Sequence, residues 1–139
     1  MATYNKFECF AGDLGGGVHD LRAAGATLKV YLTNAAPSAA DDSVKADLAE
    51  IAAGYGYTAG GADAQNDYTE TAGVGTLVCQ DVTFTAVGGT IGPFRYAVLY
   101  NDTAANDPLI AWWDYGSAVT LADSESFKVD FGAIVFELE

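Results

Sequence analysis

Three carboxylates gather around one stretch of this chain. Asp102, Asp107 and Asp114 border the run Gly88–Gly116, GGTIGPFRYAVLYNDTAANDPLIAWWDYG. Two carboxylates flanking a bond are the machinery of glycoside hydrolysis, one as acid and one as base or nucleophile. Oxygen ligands from a single loop also suit a hard cation such as calcium. A third reading needs no ligand, because Asn and Asp close turns through their own side-chain hydrogen bonds. Asp102 and Asp107 lie in the polar segment Asn101–Asp107, where that turn role fits best, and the ordered ligand spacing of an EF-hand is absent.

The other chemistry-bearing residues are sparse. The one histidine, His19, sits beside Asp20 in a Gly-rich connection, yet no G-x-S-x-G elbow supplies a nucleophile. A surface or hydrogen-bonded structural histidine is expected there. Cys9 and Cys79 with a single histidine do not make a zinc site, and two buried free thiols are the expectation for them. Asp41 and Asp42 precede a stretch with helical spacing and are expected to face its positive end. Asn101-Asp102-Thr103 matches a glycosylation sequon, read as accidental because no secretory signal is visible. No phosphate-binding glycine motif occurs. The sequence thus predicts no catalytic residue, no cofactor and no metal.

Aromatic residues are the remaining candidates. Tyr55 and Tyr57 lie in the Gly-Tyr alternation Gly54–Gly61, either as a binding loop or as an irregular edge whose rings cover a core. Trp112 and Trp113 are adjacent, so on a strand they face opposite sides and at most one fills a given core. An exposed tryptophan is a strong interface anchor.

The elements that position these residues are mostly strands. Phe94–Tyr100 and Pro108–Tyr115 are apolar runs separated by a turn-rich loop, which predicts an antiparallel hairpin. Both arms are apolar on both faces, which places the hairpin near the middle of a sheet. Ala26–Thr33 alternates, with Leu28, Val30 and Leu32 inward, and reads as a half-buried strand. Asn66–Thr71, Thr76–Cys79 and Val82–Thr85 read as further short strands. Glu125–Leu138 reads as a final pair broken at Gly132, with Ile134, Phe136 and Leu138 inward and Glu137 and Glu139 suited to an edge. Residues 3–14 read as a helix capped by Thr3, with Phe7, Phe10 and Leu14 on one face and a stop at Gly15–Gly17. A second short helix is expected within 38–53, capped by Ser43 and carrying Val44, Leu48 and Ile51. The sum is a mainly β chain of seven or eight strands. It is read as an antiparallel, jelly-roll-like β-sandwich in one domain, 1–139, with an N-terminal helical arm over about residues 1–17.

Charge narrows the partners. The chain has 139 residues, 19 acidic and 6 basic, for a net charge of −13. Phosphate neutralisation needs clustered Lys and Arg, so nucleic acid and anionic membrane are both disfavoured. No run approaches the roughly 20 apolar residues of a membrane span.

The runs GGTIGPFRYAVLYNDT and DPLIAWWDYGSAVTLADSESFKVDF resemble small virion proteins of tailed bacteriophages. NKFECFAGDL, LKVYLTNAAP and EIAAGYGYTAGG are similar to the same group. The resemblance spans most of the chain and is most specific at the Pro93–Asp114 hairpin. It implies a structural, non-enzymatic role, foremost a capsid decoration (cement) protein on the outside of a phage head. The implied partner is the major capsid protein, met by a homo-oligomer, with a trimer favoured. The implied location is the virion surface after synthesis in the host cytoplasm. Phe7, Phe10, Tyr55, Tyr57 and Trp113 are the expected contact residues. A tail, neck or fibre-associated protein is the alternative within this class. Outside it stands a carbohydrate-binding module that stacks sugar on Tyr55, Tyr57 and a tryptophan.

Overall fold

The computed structural model describes residues 2–139. In chain order the elements are β1 (Tyr4–Lys6), α1 (Glu8–Gly15), β2 (Leu28–Thr33), a 3-10 turn (Lys45–Asp47), β3 (Ala62–Asp63), β4 (Asp67–Thr71), β5 (Val74–Val78), β6 (Val82–Thr85), β7 (Ile91–Asn101), β8 (Leu109–Leu121), β9 (Ser126–Val129) and β10 (Phe136–Leu138). The fold is mainly β, with antiparallel pairing throughout and one α-helix among the described residues. A five-stranded sheet runs β1-β8-β7-β2-β3, a three-stranded sheet β10-β5-β4, and β6 pairs with β9.

The β7–β8 hairpin occupies the interior of the large sheet, as its doubly apolar arms predict. Tyr96 to Asn101 are all buried, and Ala97 faces Trp113 across the ladder. One face of this sheet contributes Leu28, Val30, Leu32, Ala97, Leu99 and Trp113 to a core shared with Leu77, Phe84, Val129 and Phe131 from the smaller sheets and the segment after β9. The other face carries a second cluster of Phe7, Tyr31, Leu48, Val98, Tyr100 and Leu109. β2 is therefore buried on both faces rather than half-buried. Tyr31 and Thr33, expected outside, are covered by the chain that follows β2.

The expected helix over 3–14 begins only at Glu8. Its first turn is replaced by β1, which pairs Tyr4 with Trp113 and Lys6 with Ala111, and the Phe7 amide donates to the Ile110 carbonyl at 3.1 Å. A ladder to a central strand outweighs the local helical spacing. Tyr4–Phe7 are thus woven into the sheet. Thr3 caps nothing; the N-cap position is Phe7, which makes no side-chain cap bond. The glycine stop is as predicted, with Gly17 at φ 79°.

The second helix is reduced to the 3-10 turn, because two bridges hold its ends extended: Val44 to Pro108 and Glu50 to Thr33. Ser43 is not its cap. The Asp47 carboxylate instead accepts from the Ser43 and Val44 amides at 2.8 and 3.1 Å. Asp42 likewise accepts from the Ser38 amide at 2.7 Å, so it closes a loop and faces no helix dipole. At the C-terminal end, β10 starts only at Phe136. The inward residue before it is Val135, while Ile134 and Leu138 are exposed. The alternation predicted for this segment holds at Phe136, which packs half-buried against the core, and fails at Ile134 and Leu138, since the strand is only three residues long.

Candidate functional site

Gly54–Tyr57 is a closed turn, with Gly54 and Tyr57 exchanging both backbone hydrogen bonds at 2.8 and 3.1 Å. Its central residues, Tyr55 (φ 56°) and Gly56 (φ 99°), both lie in the left-handed region. That is the type I′ pattern, which a glycine adopts freely and a tyrosine at a cost. Gly56 is obligatory for a second reason: a Cβ there would overlap the Thr85 carbonyl. The turn is thereby pressed onto the end of β6, and the Val87 amide donates to the Tyr55 carbonyl at 2.9 Å. The Tyr55 ring lies against Gly89, in space that any side chain at 89 would claim.

The turn sends the two tyrosines opposite ways. Tyr55 is 58% exposed and neighbours Val87, which is 65% exposed. Together they form an apolar knob held by backbone bonds. Its rim is acidic and hydroxylic. Exposed Asp123 accepts from the Gly88 amide at 2.8 Å, exposed Glu125 accepts from the Ala122 amide at 2.7 Å, and Thr85 and Ser126 share a hydrogen bond at 2.8 Å.

Tyr57 points in and is 2% exposed. Its ring packs 5.4 Å from that of Phe84. Its hydroxyl accepts from the Leu32 amide at 3.0 Å and donates to Glu50 at 2.7 Å. Glu50 also accepts from the Gly60 amide at 2.7 Å and the Lys45 ammonium at 2.8 Å. The Lys45 ammonium sits over the Tyr31 ring at 4.8 Å. Burial pushes the Glu50 pKa up, but the hydrogen bonds from Lys45, Tyr57 and Gly60 outweigh it, and the net shift is down. This charged network pins the 54–61 loop to β2. No helical or strand period joins Lys45, Glu50 and Tyr57, so the sequence carries no local signal for it.

Of the five expected contact residues, Tyr55 alone presents its side chain to solvent. Phe7, Phe10, Tyr57 and Trp113 are core residues of this chain, so a partner could reach their side chains only by opening the fold. Phe10 packs 5.5 Å from Phe136, and Trp113 5.1 Å from Phe131. The two tryptophans do face opposite sides. Trp113 enters the main core, and Trp112 leans on Phe7 at 4.6 Å in the second cluster.

The carboxylates around the hairpin are engaged separately. Asp102 pairs with Lys29 at 3.1 Å, and Asp114 is gripped by Arg95 at 2.9 and 3.1 Å. The Arg95 hydrogen bonds hold the Asp114 carboxyl below its usual range, ionised, which is the state opposite to a general acid's. Asn106 and Asp107 adopt positive φ of 65° and 52° in the turn. Asn101 is fully buried, with its carboxamide accepting from the Thr103 and Ala104 amides, so the sequon is closed to modification in the folded chain. Among the described residues no three His, Cys, Asp or Glu side chains gather as metal ligands. Both cysteines are free thiols; Cys79 is buried, and Cys9 is half-buried rather than fully so. Among the described residues no helix is long and apolar enough to cross a membrane.

No protein-family model, curated protein or solved structure matches the chain.

Proposed function

We propose that this chain is a structural virion protein, a capsid decoration protein that binds the outer surface of a tailed-phage head and stabilises capsomer contacts. In this reading its sheets form a jelly-roll-like sandwich, and a homo-oligomer, with a trimer favoured, docks on the major capsid protein. The observation that carries the contact is the Tyr55–Val87 knob. It is an exposed aromatic side chain on a backbone already fixed in shape, so little conformational freedom is lost on docking. An aromatic centre with an acidic rim suits a shell surface with an apolar socket and basic surroundings. The resemblance of its sequence runs to phage virion proteins supports the class, and the exposed knob supports this place of contact.

The test is co-sedimentation of purified protein with phage heads that lack it. Saturable binding to heads is expected. Tyr55→Ala is expected to weaken it at least about tenfold, as loss of a central aromatic anchor does. Binding to tails alone would move the protein to the tail, neck or fibre reading. Binding to host polysaccharide without binding to heads would favour the carbohydrate reading, for which Tyr55 is the one exposed ring left of the proposed platform.

A further inference from the structure

His19 is 7% exposed and belongs to the connection between α1 and β2. Its Nδ1 lies 3.0 Å from Nδ2 of Asn101, at the start of the β7–β8 loop. The orientation of the Asn101 carboxamide is fixed independently. Its Oδ1 accepts from two backbone amides, Thr103 at 2.9 Å and Ala104 at 3.0 Å. Nδ2 therefore faces the imidazole, and it can only donate. His19 Nδ1 must accept, so the ring is neutral and its proton resides on Nε2. Nε2 is buried, and among the described residues no group accepts from it.

Protonation would put a second N–H between two donors. Asn101 cannot turn its oxygen toward the imidazolium without releasing both loop amides. The same loop is zipped to the start of β2, where the Thr27 amide donates to Thr103 Oγ1 and the Asp102 amide to the Thr27 carbonyl, each at 2.9 Å. We propose that His19–Asn101 is an acid-released latch between the α1–β2 connection and the loop of the central hairpin. At neutral pH the bond holds; on acidification it is lost, and the junction is left to the two bonds at Thr27.

The surroundings favour the neutral ring. Burial lowers the His19 pKa below its ordinary value of 6.5, and the charge of Asp13 on α1 opposes that only in part. Asp20 on the same connection is tied to Arg22 at 2.6 Å. Tyr68 of β4 lines the same hollow, and Asp102 beyond the latch is paired with Lys29. With the folded pKa depressed, the unfolded chain takes up the proton first. The latch's stabilisation is complete above pH 6.5 and drains as pH falls toward the folded value, by up to about tenfold in the folded-to-unfolded ratio per pH unit.

His19 is the chain's one histidine, so nitrogen NMR of the imidazole in the wild-type full chain reads it directly. The expected result is the Nε2–H tautomer with a midpoint below 6.5. An Nδ1–H tautomer, or a midpoint above 6.5, would overturn the proposal. Urea unfolding at pH 7.0, 6.0 and 5.0 should show stability falling in the wild type and a much flatter profile in His19→Gln. A wild-type slope retained in His19→Gln would also overturn it. Should that variant not fold, the wild-type tautomer and midpoint still decide.

Discussion

Tyr55 and Tyr57 differ by two positions and carry the same side chain, so removing each hydroxyl separates surface from scaffold. Tyr57→Phe deletes an oxygen that satisfies the Leu32 amide and donates to Glu50. Leu32 is fully buried, and an unpaired buried amide costs about 1–3 kcal/mol. The bond to the ionised Glu50 is worth roughly another 1–2 kcal/mol, partly recovered because Lys45 and the Gly60 amide still hold that carboxylate. The net expectation is about 2–4 kcal/mol, a large share of the roughly 5–15 kcal/mol by which domains are stable. Tyr55→Phe touches a ring that is mostly in solvent and should change stability by no more than about 0.5 kcal/mol. Urea denaturation followed by tryptophan fluorescence measures both, with Trp113 in the main core as reporter. If Tyr57→Phe costs less than about 1 kcal/mol, or if the two variants cost the same, the account of the inward and outward tyrosines is wrong.

Glu50 makes a second expectation. Its folded pKa lies below the usual 4.5, so its contribution is present above that value and lost as pH falls through the folded one. Glu50→Gln should lower stability by about 1–3 kcal/mol at pH 7 and flatten the acid limb below pH 4.5; an unchanged acid limb would rule the network out as its source. Gly61 has φ 79°, and a Cβ there would overlap the Val30 carbonyl, whereas Gly73 has φ 85° beside open space. Gly61→Ala should cost about 2–4 kcal/mol and Gly73→Ala about 1 kcal/mol in the same urea assay, and equal costs would refute the packing argument. Burial, then the charge of Asp63, pushes the Cys79 thiol up to about 12, and burial with Asp13 also raises Cys9. Both should label slowly with a thiol reagent at pH 8 and promptly in urea; rapid native labelling of Cys79 would contradict its placement.

What the sequence makes legible is burial with a local period. A strand covered on both faces writes a continuous apolar run, which is why the central hairpin could be read with its neighbours still unknown. β1 could not be read that way. Its three residues owe their conformation to Trp112 and Trp113, more than a hundred positions away, while Phe7, Phe10 and Leu14 keep helical spacing in the same stretch. The Gly-Tyr alternation marked two rings in one loop but not that they part, nor which one is inside. That depends on the Thr85 carbonyl and on Glu50, neither of which shares a period with the loop. The His19–Asn101 bond spans 82 positions, and only the tertiary fold brings its two halves together.

Charge gives the last step toward a partner. Five of the six Lys and Arg residues, all but Lys6, are in ion pairs within the fold, each with one carboxylate. Fourteen of the nineteen carboxylates are thus without a Lys or Arg partner. The field outside the molecule is set by that unpaired excess, Asp123 and Glu125 beside the Tyr55–Val87 knob included. Copies of the chain repel one another through it, so any self-association has to rest on apolar contact against that repulsion. A basic partner is drawn in by the same field over about a Debye length, 10 Å at 0.1 M salt. Added salt should therefore slow and weaken docking on a basic surface while easing self-association. The opposite salt dependences separate the two kinds of contact without any mutation.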